Sequence, residues 1–343
     1  MQCAIIHSYG SATDVLKIEN IDVPEPGKNE LLIRQHASSV NPIDIRMCSG
    51  YGRVIFMKMR GFEFPLILGR DVSGKVVKVG AGITGFSVGD DVFGVLGPKS
   101  QGAYAEYVIA SPEHVIHKPA SLSFEQVAAL PYVTCTVWDA LVSKCGLGPD
   151  SSRNKKVFVQ GGAGGIGSLA IQLLKSWGAY VATTCSTSKI DAVKALGADL
   201  VIDYTSEDYA TRLSEFDAAL ETVGGPLEAK TISILRKDGK GTFVTLIHPL
   251  LETFDASGLM IGAIRNLAFF MRRKSHARKL GVRHYYWSTF KPSRDALVTV
   301  RNLVNEGEIH PCIDRTFNLN ELAAAHDYCE QSKGIGKVIV SIG

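Results

Sequence analysis

A glycine-rich turn between an apolar strand and an apolar helix constrains the fold of this chain more than any other feature. Residues 162–167 read Gly-Ala-Gly-Gly-Ile-Gly, after Val-Phe-Val at 157–159 and before a helix-compatible stretch at 168–177. A strand, a G-x-G-x-x-G turn and a helix in this order hold a dinucleotide pyrophosphate at the helix N-terminus. We predict a dinucleotide site here; a purely structural glycine turn is the alternative.

The turn residues have different predicted roles. Gly162 is expected to permit the tight turn, Gly164 to let the backbone approach the phosphates, and Gly167 to allow close packing of the helix on the strand. Gly165 and Ile166, at the start of the helix, complete the predicted cofactor contacts of this turn.

The end of the second strand bears on which dinucleotide binds. In the NAD version, a carboxylate about 20 residues after the turn bonds the ribose 2′-hydroxyl. Here the strand at 180–184 is followed by Cys-Ser-Thr-Ser-Lys, with no carboxylate. Ser186 and Lys189 can offer a hydrogen bond and a positive charge to a 2′-phosphate, which favours NADPH. Alternatively, Ser186 caps the next helix and Lys189 is a solvated charge.

Bulk properties exclude several other classes of protein. A chain of 343 residues suits two domains, and a net charge of +3 is too small to imply a nucleic-acid partner. The seven cysteines form no C-x-x-C pair, which argues against a disulfide framework. Neither a leader pattern nor an apolar run of 18 residues is present. We expect a cytoplasmic protein if it is bacterial, or a mitochondrial matrix protein if it is a mature eukaryotic one.

The pattern of strands and helices predicts two domains. The first 120 residues are strand-rich and punctuated by glycine, whereas strands and helices alternate from about residue 124. Alternation of this kind predicts a doubly wound parallel sheet. We assign residues 124–290 to this α/β domain and residues 1–123 plus 291–343 to a β-rich domain, with the cofactor expected in the cleft between them.

A basic cluster stands apart from these elements. It comprises Arg272, Arg273, Lys274, Arg278, Lys279 and Arg283. A solvated helix face is the simpler interpretation; an anionic partner such as lipid headgroups or RNA is the alternative.

Several motifs resemble those of the medium-chain dehydrogenase/reductase superfamily, in its zinc-free quinone oxidoreductase branch. The resemblance spans the chain and implies a GroES-like catalytic domain beside a Rossmann domain. Segments at 49–52, 130–133 and 284–287 point to the group of reticulon-4-interacting protein 1 and its bacterial relatives within that branch. The motifs that carry the wider resemblance are Asn-Pro-Ile-Asp at 41–44, Gly-Arg-Asp-Val-Ser-Gly at 69–74, Gly-Asp-Asp-Val-Phe-Gly at 89–94, Gly-Ala-Tyr-Ala-Glu-Tyr at 102–107 and the turn at 162–167.

Residue types at the zinc positions of relatives predict no metal site. Where zinc-dependent relatives carry a cysteine ligand, this chain has Asn41; where they carry Gly-His-Glu, it has Gly-Arg-Asp at 69–71. Without a metal to stabilise an alkoxide, oxidation of simple alcohols is disfavoured. Hydride transfer from NADPH to a quinone or enone is still feasible, because these acceptors spread negative charge by resonance. A reductase of enones or enoyl thioesters, and an NADPH-sensing protein that binds RNA or a protein partner, are the alternatives.

The resemblance also implies roles for individual residues. Tyr51 is expected to donate a hydrogen bond to the substrate, unless it is a packed loop aromatic, and Asn41 to bond the nicotinamide ribose, unless it only starts a turn. Asp44 and Arg70 are expected to orient the site, or to pair with each other. His284 and Tyr285 are predicted to close over the dinucleotide or substrate; alternatively, they lie on an edge strand buried in a homodimer. The remaining predicted cofactor contacts are Thr136, Tyr204, Val223, Leu246 and Gly336.

Overall fold

The computed structural model of the chain describes residues 1–61, 63–97, 100–331 and 334–343. These residues form two units. Unit 1 comprises Met1–Thr134, Pro292–Asn305 and Pro311–Gly343, and unit 2 comprises Cys135–Lys291 and Glu306–His310. The division differs from the predicted boundary at residue 123, because unit 1 continues to Thr134, and from the assignment of all residues after 291 to one domain.

Local contacts explain both differences. The Ser73 hydroxyl donates a hydrogen bond to the Phe124 carbonyl over 2.7 Å, and the Tyr132 N–H donates to Asp71 Oδ1 over 2.6 Å, so the segment after residue 123 is tied to unit 1. In unit 2, the side chain of Gln172 bonds both the N–H and the carbonyl of His310. This pair of bonds holds residues 306–310 in unit 2.

The strands, numbered along the chain, are β1 (Gln2–Ile6), β2 (Lys17–Asn20), β3 (Leu31–Val40), β4 (Leu66–Ile67), β5 (Asp71–Val79), β6 (Asp91–Val95), β7 (Tyr107–Ala110), β8 (Val115–His117), β9 (Lys156–Val159), β10 (Tyr180–Cys185), β11 (Leu200–Asp203), β12 (Ala218–Glu221), β13 (Thr242–Thr245), β14 (His284–Trp287), β15 (Ile313–Asn318) and β16 (Lys337–Ser341). The helices are α1 (Ala12–Val15), α2 (Pro42–Cys48), α3 (Arg53–Arg60), α4 (Phe124–Ala128), α5 (Pro131–Trp138), α6 (Gly165–Ser176), α7 (Ile190–Ala195), α8 (Tyr209–Arg212), α9 (Leu227–Ser233), α10 (Leu250–Lys279), α11 (Arg294–Asn305) and α12 (Leu322–Glu330).

Unit 1 is built on the long strand β3. One sheet has the order β15-β16-β3-β5-β6-β8, with β7 also paired to β3, and a smaller sheet has the order β2-β1-β4. Strand β3 pairs with β5, β7 and β16, and most of its side chains are buried. The C-terminal strands β15 and β16 return to this sheet, as the sequence predicts. This architecture is the expected GroES-like domain.

Unit 2 is a six-stranded parallel sheet in the order β11-β10-β9-β12-β13-β14. In order of occurrence along the chain this reads 3-2-1-4-5-6, the Rossmann order, whose topological switch point lies between the first and fourth strands. Side chains of β12 and β13 are buried throughout, which is typical of a sheet covered on both faces. The prediction of a doubly wound sheet is confirmed.

Helix α10 connects β13 to β14, the last two strands of this sheet along the chain. It is interrupted at Gly258, whose φ of 72° and ψ of 179° are not helical. None of the helices in the described residues combines the length and the apolar character that crossing a membrane requires. Strand β14 follows α10 and is an edge strand of the sheet, whereas the burial of His284 and Tyr285 in a homodimer stays a prediction.

Candidate functional site

The glycine turn of unit 2 lies at the carboxyl end of β9, next to the switch point of the sheet. A Cβ on Gly167 would collide with the Gly161 carbonyl and lie 2.7 Å from Gly162 Cα, so close packing requires glycine there, as predicted. A Cβ on Gly162 would collide with Thr183 Oγ1. The positive φ of the turn belongs to Gly161, at 69°, rather than to Gly162. Gly162 therefore serves packing against β10, which corrects its predicted role in the turn.

Gly164 is different, because nothing in unit 2 requires a glycine there. Its φ of −76° and ψ of 170° suit any residue, and a Cβ added to it would lie 3.6 Å from its nearest neighbour, the Gly161 carbonyl oxygen. Gly164 is exposed at the N-cap of α6 and, as a glycine, supplies no capping side chain to this helix. The N–H groups of its first turn, which includes Gly165 and Ile166, have no partners within the helix. These features fit the pyrophosphate of a dinucleotide.

The end of β10 lies beside this turn. The Gly162 N–H donates to the Thr184 carbonyl over 2.9 Å, which brings the turn against the strand. Ser186 and Lys189 follow on one short turn, closed by a hydrogen bond from the Lys189 N–H to the Ser186 carbonyl. The positive charge of Lys189 opposes the rise in the pKa of the Cys185 thiol that burial causes, so this charge acts at the strand end.

Asp203 is a carboxylate that the sequence alone does not place here. It ends β11, where it pairs in register with Cys185. Its oxygens accept hydrogen bonds from the Thr187 hydroxyl over 2.6 Å and from the Thr205 N–H and hydroxyl, and these bonds lower its pKa. The register of a neighbouring strand supplies this carboxylate, which explains why a search along β10 alone misses it.

Three further predicted contacts lie just after the carboxyl ends of strands in unit 2. Tyr204 and Val223 have exposed side chains, and Leu246 is half-buried. The buried Glu221 at the end of β12 holds the Val223 segment, because its carboxylate accepts from the N–H groups of Val223 and Gly224. Its other oxygen accepts from the Thr245 hydroxyl over 2.5 Å. These residues lie at the carboxyl ends of the parallel strands, where the glycine turn also lies and where ligands bind in such folds.

His284 and Tyr285 do not lie at the carboxyl ends of the strands. His284 is the first residue of β14 and pairs with Thr242, the first residue of β13, so it lies at the amino end of the parallel strands. Tyr285 is buried in the core, with its ring stacked on Phe243 at 5.3 Å between centroids. The prediction that both close over the dinucleotide is corrected: strand register places one at the opposite sheet edge and the other inside the core.

In unit 1, two of the predicted residues, Asn41 and Asp44, belong to a buried polar network. Lys337 Nζ donates to Asn41 Oδ1 over 2.5 Å and to the Val40 carbonyl over 2.7 Å. Asn41 Nδ2 donates to Asp71 Oδ2 over 2.8 Å. Burial lowers the pKa of Lys337 and raises that of Asp71, while the charge of each opposes the shift of the other. The Asn41 carboxamide keeps one N–H and one lone pair beyond these bonds.

Asp44 lies in the same network, at the start of α2. Pro42 opens this helix, and Asp44 Oδ2 accepts from the Asn41 N–H over 2.9 Å and from the Tyr104 hydroxyl over 3.1 Å. Burial raises the pKa of Asp44 to about 6, although the Asn41 N–H and the charges of Arg70 and Lys337 oppose this shift. The described atoms offer no hydrogen-bond partner to Oδ1 of Asp44.

Arg70 and Tyr51 occupy different surroundings. Buried Arg70 donates to the carbonyls of Gly97 and Ser100, and its charge lowers the pKa of Asp44. Tyr51 is half-buried on the loop between α2 and α3, with the Arg46 guanidinium carbon 3.5 Å from its ring centroid. The loop position of Tyr51 agrees with the prediction from the sequence, whereas Arg46 is a neighbour that the sequence did not predict.

Thr136 and Gly336 complete the set of predicted residues. Thr136 is buried in α5, on the unit 2 side of the division. Gly336 has a φ of 91°, and a Cβ there would collide with the Cys312 carbonyl, so the start of β16 requires glycine for structural reasons. A cofactor contact at Gly336 stays a prediction.

The residues that sequence reasoning missed in unit 1 are Lys337, Asp71 and Tyr104. Lys337 starts β16, whose next residues are Val-Ile-Val, and a lysine at the head of a strand that is otherwise buried is the signal that could have found it. Across the described ranges, His, Cys, Asp and Glu side chains form no group of three or more that could hold a metal ion.

A Rossmann sheet with an open glycine turn at its switch point, joined in one chain to a GroES-like unit, defines an oxidoreductase of the medium-chain dehydrogenase/reductase superfamily. Two family models agree: the alcohol dehydrogenase GroES-like domain matches residues 27–120, and the zinc-binding dehydrogenase model matches residues 196–340.

Individual relatives narrow the assignment. The chain is 38% identical to the mitochondrial NAD(P)H oxidoreductase RTN4IP1 of Danio rerio, over 100% of this chain and 91% of that protein. It is 33% identical to the 2-methylene-furan-3-one reductase of Solanum lycopersicum, over 97% and 76%. The solved quinone oxidoreductase of Coxiella burnetii has a TM-score of 0.84 and 31% identity, covering 100% and 99%. The chain therefore belongs to the NAD(P)H oxidoreductase RTN4IP1 family.

Proposed function

We propose that this NAD(P)H oxidoreductase uses NADPH to reduce a quinone or another conjugated carbonyl, without zinc. The observation that carries the proposal is the donor set around Asn41. At the positions where zinc relatives carry ligands, this chain has Asn41, Arg70 and Asp71. The Asn41 carboxamide is bonded to Lys337, and the Arg70 guanidinium donates to backbone carbonyls. The Asp71 carboxylate already accepts from Ser39, Asn41 and Tyr132. A buried ammonium group, rather than a zinc ion, balances that carboxylate.

The preference for NADPH rests on the end of β10. Ser186 and Lys189 would bind the 2′-phosphate, and the N-terminus of α6 would bind the pyrophosphate. Asp203 would repel this phosphate less strongly than a carboxylate without hydrogen bonds would. Its oxygens already accept hydrogen bonds from the Thr187 hydroxyl and from the N–H and hydroxyl of Thr205.

The chain's own part in the reaction is to orient the cofactor and the acceptor and to exclude water. Bound NADPH supplies the hydride. Asn41, held by its bonds to Lys337 and Asp71, would orient the nicotinamide ribose with its remaining N–H and lone pair. Tyr51, under the Arg46 guanidinium, would donate a hydrogen bond to the oxygen that gains negative charge. A conjugated acceptor delocalises this charge, so such a donor suffices in place of a metal.

The relationship to the tomato 2-methylene-furan-3-one reductase supports a narrower second candidate, a reductase that acts on enones and not on quinones. An NADPH-sensing protein would bind the cofactor but reduce no acceptor. The same assay separates these candidates.

The test follows consumption of NADPH and NADH with a panel of short-chain quinones, an enone and an enoyl thioester, alongside metal analysis of the purified protein. We expect quinone-dependent turnover that favours NADPH, without stoichiometric zinc, and a lower kcat for Tyr51→Phe with NADPH affinity retained. Turnover of the enone alone would support the second candidate. Tight NADPH binding with no turnover of any acceptor, or loss of turnover on removal of bound zinc, would contradict the proposal.

A further inference from the structure

The region around helix α10 has an unusual charge. Residues 256–291 contain eight Lys and Arg but no Asp or Glu, although the whole chain contains 37 basic and 34 acidic side chains. The rest of the chain is therefore net acidic, and positive charge is concentrated on one part of unit 2. This segment includes the basic cluster at 272–283.

The same helix exposes a row of large apolar side chains. Met260, Ile264, Leu267 and Met271 are spaced by four, three and four residues, so they fall on one face of the helix after the break at Gly258. Their exposed fractions are 85%, 70%, 64% and 53%. A contiguous exposed apolar row of this kind marks an interaction surface.

Packing within unit 2 does not require this row. The opposite face of α10 already packs against the unit, where Gly262, Asn266 and Ala277 are buried. Phe270, also on that side, lies 5.9 Å from the ring of Tyr285 and 5.2 Å from that of Trp287. The helix thus has one apolar face for the core and a second that unit 2 leaves exposed.

Exposed basic residues flank the second face. Arg265 and Arg272 directly follow Ile264 and Met271, so each lies about 100° around the helix from the apolar row and on the same side of it. Lys279 continues this line one helical repeat later, and Arg278 continues the apolar row itself. Within the ranges that the structure describes, Arg272, Arg278 and Lys279 form no ion pair, whereas Arg273 on the packed side faces Glu228.

We propose that this surface, called the α10 face and made of Met260, Ile264, Leu267 and Met271 with Arg265, Arg272, Arg278 and Lys279, binds an anionic lipid bilayer. The helix would lie parallel to the membrane, with the apolar row at the acyl boundary and the basic groups at lipid phosphates. RNA fits less well, because its phosphates would bind the basic groups but would leave the four apolar side chains exposed to water. The attachment is peripheral.

Vesicle flotation with the full chain tests the proposal. Vesicles of phosphatidylcholine alone are compared with vesicles that also contain phosphatidylglycerol, at low and at physiological salt and without nucleotide. We expect flotation with the anionic vesicles only, weakening as salt rises. Arg272→Gln with Lys279→Gln should weaken binding about tenfold or more, and so should Ile264→Ser with Leu267→Ser.

Matched controls come from exposed residues elsewhere. Val88→Ser, at a side chain that is 67% exposed in unit 1, and Lys240→Gln should float as the unmodified protein does. All replaced side chains are exposed, and thermal unfolding checks that each variant is folded.

Three results would overturn the proposal. They are equal flotation with both kinds of vesicle, unchanged flotation of the α10-face variants, and a self-association or RNA binding that these variants abolish while vesicles bind no protein. Because flotation measures binding alone, the proposed reduction of quinones can fail while this inference holds.

Discussion

Lys337 Nζ donates a hydrogen bond to Asn41 Oδ1 over 2.5 Å, and thereby links the first residue of β16 to the residue that precedes α2. The same carboxamide donates to Asp71 Oδ2, so one neutral side chain joins a buried cation to a buried carboxylate. The two bonds fix which way the Asn41 amide faces. They also make each of the two charges dependent on the other, because removal of one leaves the other buried with less opposite charge nearby.

Replacement of Lys337 by Met should therefore destabilise unit 1 strongly. Asp71 would keep its hydrogen bonds from Ser39 and Tyr132 but lose the nearby positive charge. We expect a loss of about 3–5 kcal/mol in the free energy of unfolding at neutral pH. Denaturant unfolding provides the measurement.

The double variant Lys337→Met with Asp71→Asn should recover much of this loss, since it removes both charges of the pair. Lys75→Met is the matched control: its ion pair with Asp91 is more than 40% exposed on both sides and should contribute less than about 1 kcal/mol. If the double variant were as unstable as Lys337→Met alone, the coupling between Lys337 and Asp71 would be absent.

Two glycines of the nucleotide turn should respond differently to alanine. Gly164→Ala should leave the unfolding temperature near that of the unmodified protein, because the turn has room for the methyl group. It should weaken NADPH binding about tenfold or more, since the backbone could no longer approach the pyrophosphate. Gly167→Ala should cost about 1–3 kcal/mol of stability, because its methyl group meets backbone that cannot move aside.

Differential scanning fluorimetry and NADPH titration measure the two effects. Unchanged NADPH affinity in Gly164→Ala would show that the dinucleotide does not approach this turn, whatever the stability of the variant.

The sequence predicts what is local, and this explains which features it did not reveal. The strand, glycine turn and helix at 157–177 are specified by neighbouring residues, and their order is confirmed in the fold. The Lys337–Asn41 bond joins residues 296 positions apart, which no local pattern reveals. The sequence also identifies His284 and Tyr285 as an aromatic cluster, but only the register of β14 shows which sheet edge and which face they occupy.

Lys189→Ala should separate the two nicotinamide cofactors. Removal of a positive charge from the end of β10 should weaken NADPH binding about tenfold or more, because a charge-assisted bond to the 2′-phosphate would be lost. NADH has no phosphate there, so its affinity should stay nearly constant. Lys194→Ala, an exposed lysine on the following helix α7, is the control. Equal losses for both cofactors in parallel titrations would rule out the assignment of the 2′-phosphate to this position.

Asp44 should make the stability of unit 1 depend on pH in a defined window. Burial raises its folded-state pKa from 3.8 to about 6, so the folded protein holds this proton more tightly than the unfolded chain does. The contribution of Asp44 to stability is thus fully present below about pH 4 and is lost as pH rises to about 6. Two pKa units correspond to about 3 kcal/mol.

A buried histidine acts in the opposite direction over the same window. Burial lowers the pKa of His326 from 6.5 to about 4, so its contribution is lost as pH falls. The total stability curve therefore does not isolate Asp44, whereas its difference from that of Asp44→Asn does, because His326 is common to both proteins. The asparagine can still accept from the Asn41 N–H and the Tyr104 hydroxyl. We expect the unmodified protein to lose about 2 kcal/mol relative to Asp44→Asn between pH 4 and 6, measured by urea unfolding. A difference that stays constant over this range, or that rises with pH, would mean that Asp44 is ionised at pH 4 in the folded protein.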